Sequence, residues 1–249
     1  VVPGTGPGGR VTREDVEAAL SGPAAVSEAV PWQGMRKRIA AHMFRSLQST
    51  AQLTITTEAD VTEMVHRRAR LQAGQPVTYN DLVVHAVARA LREHPRLNAT
   101  VEGEGVCLHS EVNVGVAVAL DEGLMVPVIR DADRKSPADI ARESRELAEK
   151  ARAGTIAVDE VSGGTFTVSN LGMYGVDAFT PIIDLPQVAI LGVGRVREKP
   201  IVYEGEIAIR HVLVFSLTFD HRAVDGVPAA AFLQSVVRHV TSTERPTDG

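Results

Sequence analysis

The segment Asp220-His221-Arg222-Ala223-Val224-Asp225-Gly226 crowds an imidazole, a guanidinium and two carboxylates into seven residues. It follows the apolar run Val212 to Phe219, so it falls where a strand ends, and Gly226 permits a tight turn into a helix. Loops fed by strand ends are common places for reactive groups. Histidine is the side chain best suited to take and return a proton near neutral pH. Asp225, four residues on, can hold the loop that aims it. Spacing alone leaves a second reading open: a capped helix with an ion pair between Arg222 and a neighbouring carboxylate.

A second polar cluster is Gly163-Gly164-Thr165-Phe166-Thr167-Val168-Ser169-Asn170-Leu171-Gly172. Ser169 and Asn170 follow a strand and precede glycines, which lets their polar groups face a substrate. A hydroxyl there can donate to a developing oxyanion, a contribution typically of about 3 kcal/mol. Taken alone, the segment reads as a turn whose Ser and Asn satisfy local backbone groups.

Other chemistries find less support. His42, His66, His85, His94, His109, His211 and His239 lack a paired interval of metal-ligand type, so no metal is expected. The single cysteine, Cys107, has no flanking features of an activated thiolate and excludes an intrachain disulfide framework. No Gly-x-Ser-x-Gly elbow is present, which disfavours a serine hydrolase. The glycines of Gly4 to Gly9 follow no strand and are interrupted by Pro7, so a dinucleotide loop is not expected there.

These clusters need elements to position them. Thr12 with Asp15 has capping-box spacing ahead of the helical run Val16 to Leu20. Residues 21–30 read as a linker. Met35 to Met43 is an amphipathic helix with a basic face, and Leu53 to Ala59 alternates as a strand does. Asp60 and Glu63 open a charged helix to about Leu71; Thr78 and Asp81 cap an apolar, buried helix through Leu91. Val112 to Ala119 and Leu124 to Ile129 are strands joined by the turn Asp121-Glu122-Gly123. Ser136, Pro137 and Asp139 start a long helix ending near Arg152. Thr165 to Ser169, Gln187 to Val196 and Ala208 to Phe219 are further strands. A last helix runs from Gly226 to about Val240, and residues 241–249 look frayed. Helices and strands mix without strict alternation, which predicts a mixed sheet with helices packed on it.

The 249 residues carry 26 Lys+Arg against 31 Asp+Glu, a net charge of −5 that argues against a nucleic-acid partner. No apolar run approaches the roughly 20 residues that cross a bilayer, so no membrane partner is expected. A signal-peptide pattern is absent, and a reducing, cytoplasmic compartment is expected. The start at Val1, directly before a glycine-rich loop, suggests a piece of a longer polypeptide.

In register, five segments resemble the dihydrolipoamide acyltransferases, the core subunits of 2-oxo acid dehydrogenase complexes. They are Gly34 to Ala40, Asn113 to Val118, Gly123 to Ile129, Gly163 to Gly172 and Asp220 to Gly226. The resemblance covers nearly all of residues 31–240. It implies an α/β (α+β sandwich) fold like that of chloramphenicol acetyltransferase, in trimers with active sites at subunit interfaces. It implies that His221 removes the proton from the coenzyme A thiol, that Ser169 of a facing subunit stabilises the oxyanion, and that Asp225 orders the histidine loop. The resemblance also places Asn170 and Gly194 in segments that line the coenzyme A side in members of that family. Residues 1–20 resemble the second half of a peripheral subunit-binding domain, 21–30 form the linker, and 31–249 form the catalytic domain. The lipoyl group is expected on a domain outside this sequence. Implied partners are the dehydrogenase and decarboxylase components, the lipoyl domain, and further copies in a trimer or larger cage. The run Ser169 to Gly175 resembles acetyl-transferring members, of pyruvate or acetoin complexes. Branched-chain or succinyl transfer, a non-catalytic scaffold core and a free-standing antibiotic or amine acetyltransferase stay open as alternatives.

Overall fold

The computed structural model describes residues 2–21, 30–71, 76–120 and 123–242. Most of the expected linker, two residues of the turn before Gly123 and the last seven residues lie outside that range. The chain divides into two compact units, Val1–Gly34 and Met35–Gly249.

The first unit holds a short 3-10 turn at Pro7–Gly9 and helix α1 (Arg13–Ser21). The capping box forms as its spacing requires: Thr12 N donates to Asp15 Oδ2 at 2.8 Å and Asp15 N to Thr12 Oγ1 at 3.3 Å. Thr5 adds two more bonds to the same carboxylate, and these donors hold it well below the usual carboxylate range.

The larger unit begins with α2 (Gly34–Ser49, its first residue belonging to the other unit), β1 (Gln52–Asp60), α3 (Thr62–Leu71) and α4 (Tyr79–Glu93). The hairpin β2 (Ala99–Glu102) and β3 (Gly105–Leu108) follows, then the short strands β4 (Val114–Val116), β5 (Val118–Leu120), β6 (Gly123–Met125) and β7 (Val128–Ile129). Helix α5 (Pro137–Ala153), strands β8 (Phe166–Asn170), β9 (Ala189–Val193), β10 (Arg197–Tyr203) and β11 (Glu206–Asp220), and helix α6 (Gly226–Thr241) complete it. The main sheet runs β1-β11-β9-β8-β4-β7, with β10 on the free half of β11. β8 is parallel to both β4 and β9, and the remaining pairs are antiparallel. This is the expected mixed sheet.

Side-chain alternation along β11 explains what the sheet positions. Leu213, Phe215, Leu217 and Phe219 point to one face and are buried in the core with Phe166, Leu191, Leu91 and Phe232. Helices α4 and α6 supply the cover: Val83, Val84 and Val87 of α4 are fully buried, as its near-continuous apolar run predicts. Truncating any of these phenylalanines to Ala would cost about 3–5 kcal/mol. Ser216, Thr218 and Asp220 point to the opposite face, so the strand delivers a charged residue, then His221, at its end.

Two expectations need correction. The strands read over Val112 to Ala119 and Leu124 to Ile129 are each broken in two. β4 and β7 belong to the main sheet, whereas β5 and β6 form a separate ladder. Pro127 has no N–H to continue the pairing, and Ala117 N turns to Val168 O at 3.0 Å. The β2–β3 hairpin and β10 were not expected, because Glu102 to Gly105 and Arg197 to Pro200 carry the polar, Gly and Pro composition of loops.

Candidate active site

His221 sits one residue beyond the end of β11, and its backbone is fixed from two sides. Its N–H donates to Ala51 O at 2.9 Å, tying the loop to the corner between α2 and β1. Asp220, with 0% side-chain exposure, accepts from Ala51 N and Arg222 N, each at 3.1 Å. The Arg222 guanidinium closes on the same carboxylate, Nε at 3.0 Å and Nη2 at 2.6 Å. Burial pushes the Asp220 carboxyl up, but the bonds from Arg222 and Ala51 outweigh it and hold the acid below its ordinary range. Ala223 N and Val224 N both donate to Asp220 O, which completes the turn.

Of the second reading left open by spacing, the ion pair forms and the side-chain helix cap does not. The ion pair of Arg222 exists, its partner is Asp220, and it is what holds the loop that presents His221. The imidazole is 45% exposed and tilts against the Phe219 ring at 5.6 Å between centroids. Asp225 Oδ1 lies 3.8 Å from His221 Nδ1, beyond hydrogen-bond length, and is 83% exposed. Asp225 occupies the N-cap position of α6 without a side-chain capping bond. Inside one chain the loop is thus ordered by Asp220, a residue whose place at the end of an apolar strand gives no sign of burial.

Ser169 lies far from this histidine. On β8 it is level with Gly192 of β9, which is level with Ser216 of β11. Five residues of β11 separate Ser216 from His221, roughly 17 Å along the strand at about 3.4 Å per residue. Two strand spacings, roughly 10 Å, separate them across the sheet. The fold keeps the two groups apart within a chain.

Asn170 and Gly194 do come together, lining one cavity of about 660 Å³. Asn170 accepts from Gly172 N at 2.8 Å and donates to Asn80 at 3.2 Å, so its amide fastens the turn after β8 to the start of α4. Gly194 is required by close packing: a Cβ there would stand 1.9 Å from Asp177 O. A Cβ on Gly172 would likewise meet Gly194 O at 2.6 Å, so the two glycines let the walls approach. Arg152 and Arg195 bring cations to the same cavity. The cavity is lined by amides, apolar side chains and two arginines, of which Arg195 is already paired with Asp177 at 2.5 Å, a lining suited to a ligand with both polar and apolar parts. Asn80 belongs to this group but was missed, since Thr78-Tyr79-Asn80-Asp81 reads only as a helix start.

The other candidates have local partners. His42 pairs with Asp184 at 2.7 Å, His94 with Ser235 at 2.8 Å and His239 with Glu93 at 2.6 Å. Cys107 is half-buried on β3, and burial together with Glu102 pushes its thiol up, away from reactivity. Among the described residues, no three His, Cys, Asp or Glu side chains gather as a metal site. Among the same residues no helix is long and apolar enough to cross a membrane.

Residues 24–246 match the family model described as 2-oxoacid dehydrogenases acyltransferase (catalytic domain). The dihydrolipoyllysine-residue acetyltransferase component of the acetoin cleaving system of Bacillus subtilis is 44% identical over 94% of this chain and 62% of its own length. The chain spans 62–65% of the length of the curated relatives it matches first. A crystal structure described as that of a probable dihydrolipoamide acetyltransferase from Listeria monocytogenes superposes with a TM-score of 0.85 at 37% identity, covering 91% of this chain and 99% of that one. The dihydrolipoamide acetyltransferase of Azotobacter vinelandii, studied for the roles of a serine, a histidine and an asparagine in its catalytic mechanism, superposes with a TM-score of 0.82 at 35% identity, covering 86% and 91%. Chloramphenicol acetyltransferase, at 18% identity and a TM-score of 0.50 over 86% and 99%, shares the fold.

Proposed function

The chain belongs to the 2-oxoacid dehydrogenase acyltransferase family, and from that premise we propose that it moves an acetyl group between a dihydrolipoyl thiol and coenzyme A. His221 is the general base. A coenzyme A thiol is mostly protonated near pH 7, as an ordinary thiol pKa of about 8.5 requires. His221, with Nδ1 toward Asp225, takes the thiol proton on Nε2 as the sulfur attacks the carbonyl carbon of the acyl-dihydrolipoyl thioester. Ser169 of a second copy donates a hydrogen bond to the oxyanion that forms. Collapse breaks the carbon–sulfur bond to the dihydrolipoyl group, and the His221 imidazolium returns its proton to that leaving sulfur. No acyl-enzyme forms, which agrees with the lack of a nucleophile elbow; holding both thiols in one channel supplies much of the acceleration.

The observation that carries this reading is the mounting of His221: a half-exposed imidazole on a loop pinned by a buried carboxylate that the half-exposed Arg222 and Ala51 N both bond. The Azotobacter enzyme supports the roles further. Its serine-to-histidine and histidine-to-asparagine intervals equal those linking Ser169, His221 and Asp225 here, with Asp in place of Asn. The separation of Ser169 from His221 within a chain supports a site built between copies, in a trimer that can assemble further. The cavity at Asn170 and Gly194 suits coenzyme A, Arg152 meeting a phosphate and the amides the pantetheine arm. The relatives' names favour acetyl and a pyruvate or acetoin complex; a cytoplasmic location, with dehydrogenase and decarboxylase components and a lipoyl domain as partners, completes the reading. Residues 1–20 serve as part of a subunit-binding domain, joined by a linker at 21–30 to the catalytic domain at 31–249.

The test is transfer from acetyl-, succinyl- and isobutyryl-CoA to free dihydrolipoamide. Acetyl should be the best donor, and His221→Ala should lose at least about a thousandfold in kcat. Full activity in His221→Ala ends the assignment of the base; preference for succinyl or isobutyryl ends the assignment of the acyl group.

A further inference from the structure

Between the short turn at Gly172–Tyr174 and β9, residues 175–188 form neither helix nor strand. The middle of this segment lies beside Ser169. Ser169 is level with Gly192 on β9, and both face away from the side of the sheet where Val168, Leu191 and Val193 enter the core. On that outer face Phe179 and Pro181 stand where a Gly192 side chain would be. A Cβ there would meet the Phe179 ring at 3.1 Å and the proline at 3.2 Å. The segment therefore flanks the candidate oxyanion donor.

Buried main-chain N–H and C=O groups outside helix and sheet need partners from elsewhere. At Ile183, which is fully buried, both partners come from the corner between α2 and β1. Ser46 Oγ donates to Ile183 O at 2.6 Å, and Ile183 N donates to Gln52 Oε1 at 3.3 Å. The Gln52 amide nitrogen donates to Ser46 Oγ at 3.0 Å and to Thr50 Oγ1 at 2.9 Å. The proton count fixes this arrangement. The Ser46 hydroxyl gives its hydrogen to Ile183 O, and the Thr50 hydroxyl gives its own to Ser46 O at 2.6 Å, so both oxygens can only accept. An amide supplies two donors and an acceptor at one position, whereas a carboxylate there would set oxygen against oxygen. The same corner holds the histidine loop. Ala51, immediately before Gln52, bonds His221 N and Asp220 Oδ1 through its main chain.

We propose that Gln52 is a positioning residue for acyl transfer: its amide, with Ser46 and Thr50, fixes the segment that flanks Ser169 to the corner that carries His221. None of Ser46, Thr50, Gln52 and Ile183 lines the cavity at Asn170 and Gly194, so the amide acts on the placing of groups around Ser169 and not on the grip on coenzyme A. A misplacement of about 1 Å at a reacting centre can cost about a hundredfold in rate. The proposal rests on the acyltransferase reading given above.

The experiment compares the parent with Gln52→Leu and Gln52→Glu by acetyl-transfer kinetics and by amide hydrogen exchange. Both variants should lose about ten- to a hundredfold in kcat, while KM for coenzyme A stays within about twofold. The peptide covering residues 177–184 should exchange faster in both, and the peptide covering residues 218–224 should keep its protection. Parent-like kcat in either variant overturns the proposal. So does a raised KM with kcat intact, which would make the amide a binding element, or a fall in kcat with no faster exchange at residues 177–184. If neither variant folds, Ser46→Ala decides by the same constants and the same peptides, since it removes one bond to Ile183 and one to the amide. A parent that transfers no acetyl group would sink the acyltransferase reading, whereas exchange at residues 177–184 judges the clamp separately.

Discussion

At the scale of single residues, the groups that hold His221 in place carry as much of the account as the histidine. Asp220, which is buried, and Arg222, which is half exposed, form a bidentate pair directly flanking His221. Because solvent reaches Arg222, what matters is the buried carboxylate and its bonds, and leaving a buried polar group unsatisfied typically costs about 1–3 kcal/mol. Asp220→Asn should therefore lower stability by about 1–3 kcal/mol and kcat at least about tenfold, with KM for coenzyme A nearly unchanged. A double-mutant cycle with Arg222→Ala should show strong coupling. A rise in KM with kcat intact would mean that the pair serves binding instead. Because its folded pKa is depressed, the stabilisation from Asp220 is complete above the ordinary carboxylate range and is lost only as pH falls through the lowered value. At neutral pH the fold keeps it whole. His221, Asp225 and Ser169 were legible as chemistry from residue type, strand-end position and family order. Asp220 was visible only as a member of the cluster, because strand-end carboxylates usually face water and burial here depends on Ala51, distant in sequence.

At the scale of elements, helices were legible where capping chemistry marked them. Thr78 with Asp81 and Ser136 with Asp139 start α4 and α5 where their spacing indicates. Strands were legible where apolar alternation was long, as in β1 and β11, and failed where pairing changes partners, as between β4 and β5. Helix α4 also carries a titrating group that sequence could not reveal. His85, half-buried, has its pKa lowered to about 4 by burial and by Arg67, Arg89 and His239. The sign follows from the neutral form being favoured in the fold. Its stabilisation is complete above the unfolded value near 6.5 and is lost as pH falls from there toward 4. The full loss is about 3 kcal/mol, at 1.36 kcal/mol per pKa unit. Thermal or denaturant unfolding at fixed protein concentration should show parent stability falling between pH 6.5 and 4, with the loss reduced in His85→Gln. An equal loss in both proteins would remove His85 as the cause.

At the scale of the whole molecule, the sheet register decides how the site is assembled. The order β1-β11-β9-β8 and the pairing of Ser169 and Ser216 with Gly192 put the candidate base and the candidate oxyanion donor at opposite ends. The sequence implied a shared site only through family likeness; the register supplies an independent geometric reason for it. A mixture of two defective chains tests this most directly. Ser169→Ala and His221→Ala are each expected to lose at least about a hundredfold in acetyl transfer when assembled alone. Dissociated, mixed in equal amounts and reassembled, they should regain about one quarter of parent activity, because random neighbours in a closed ring pair an intact His221 with an intact Ser169 at one contact in about four. Mixed assemblies that stay as inactive as their parts would contradict a site shared between copies.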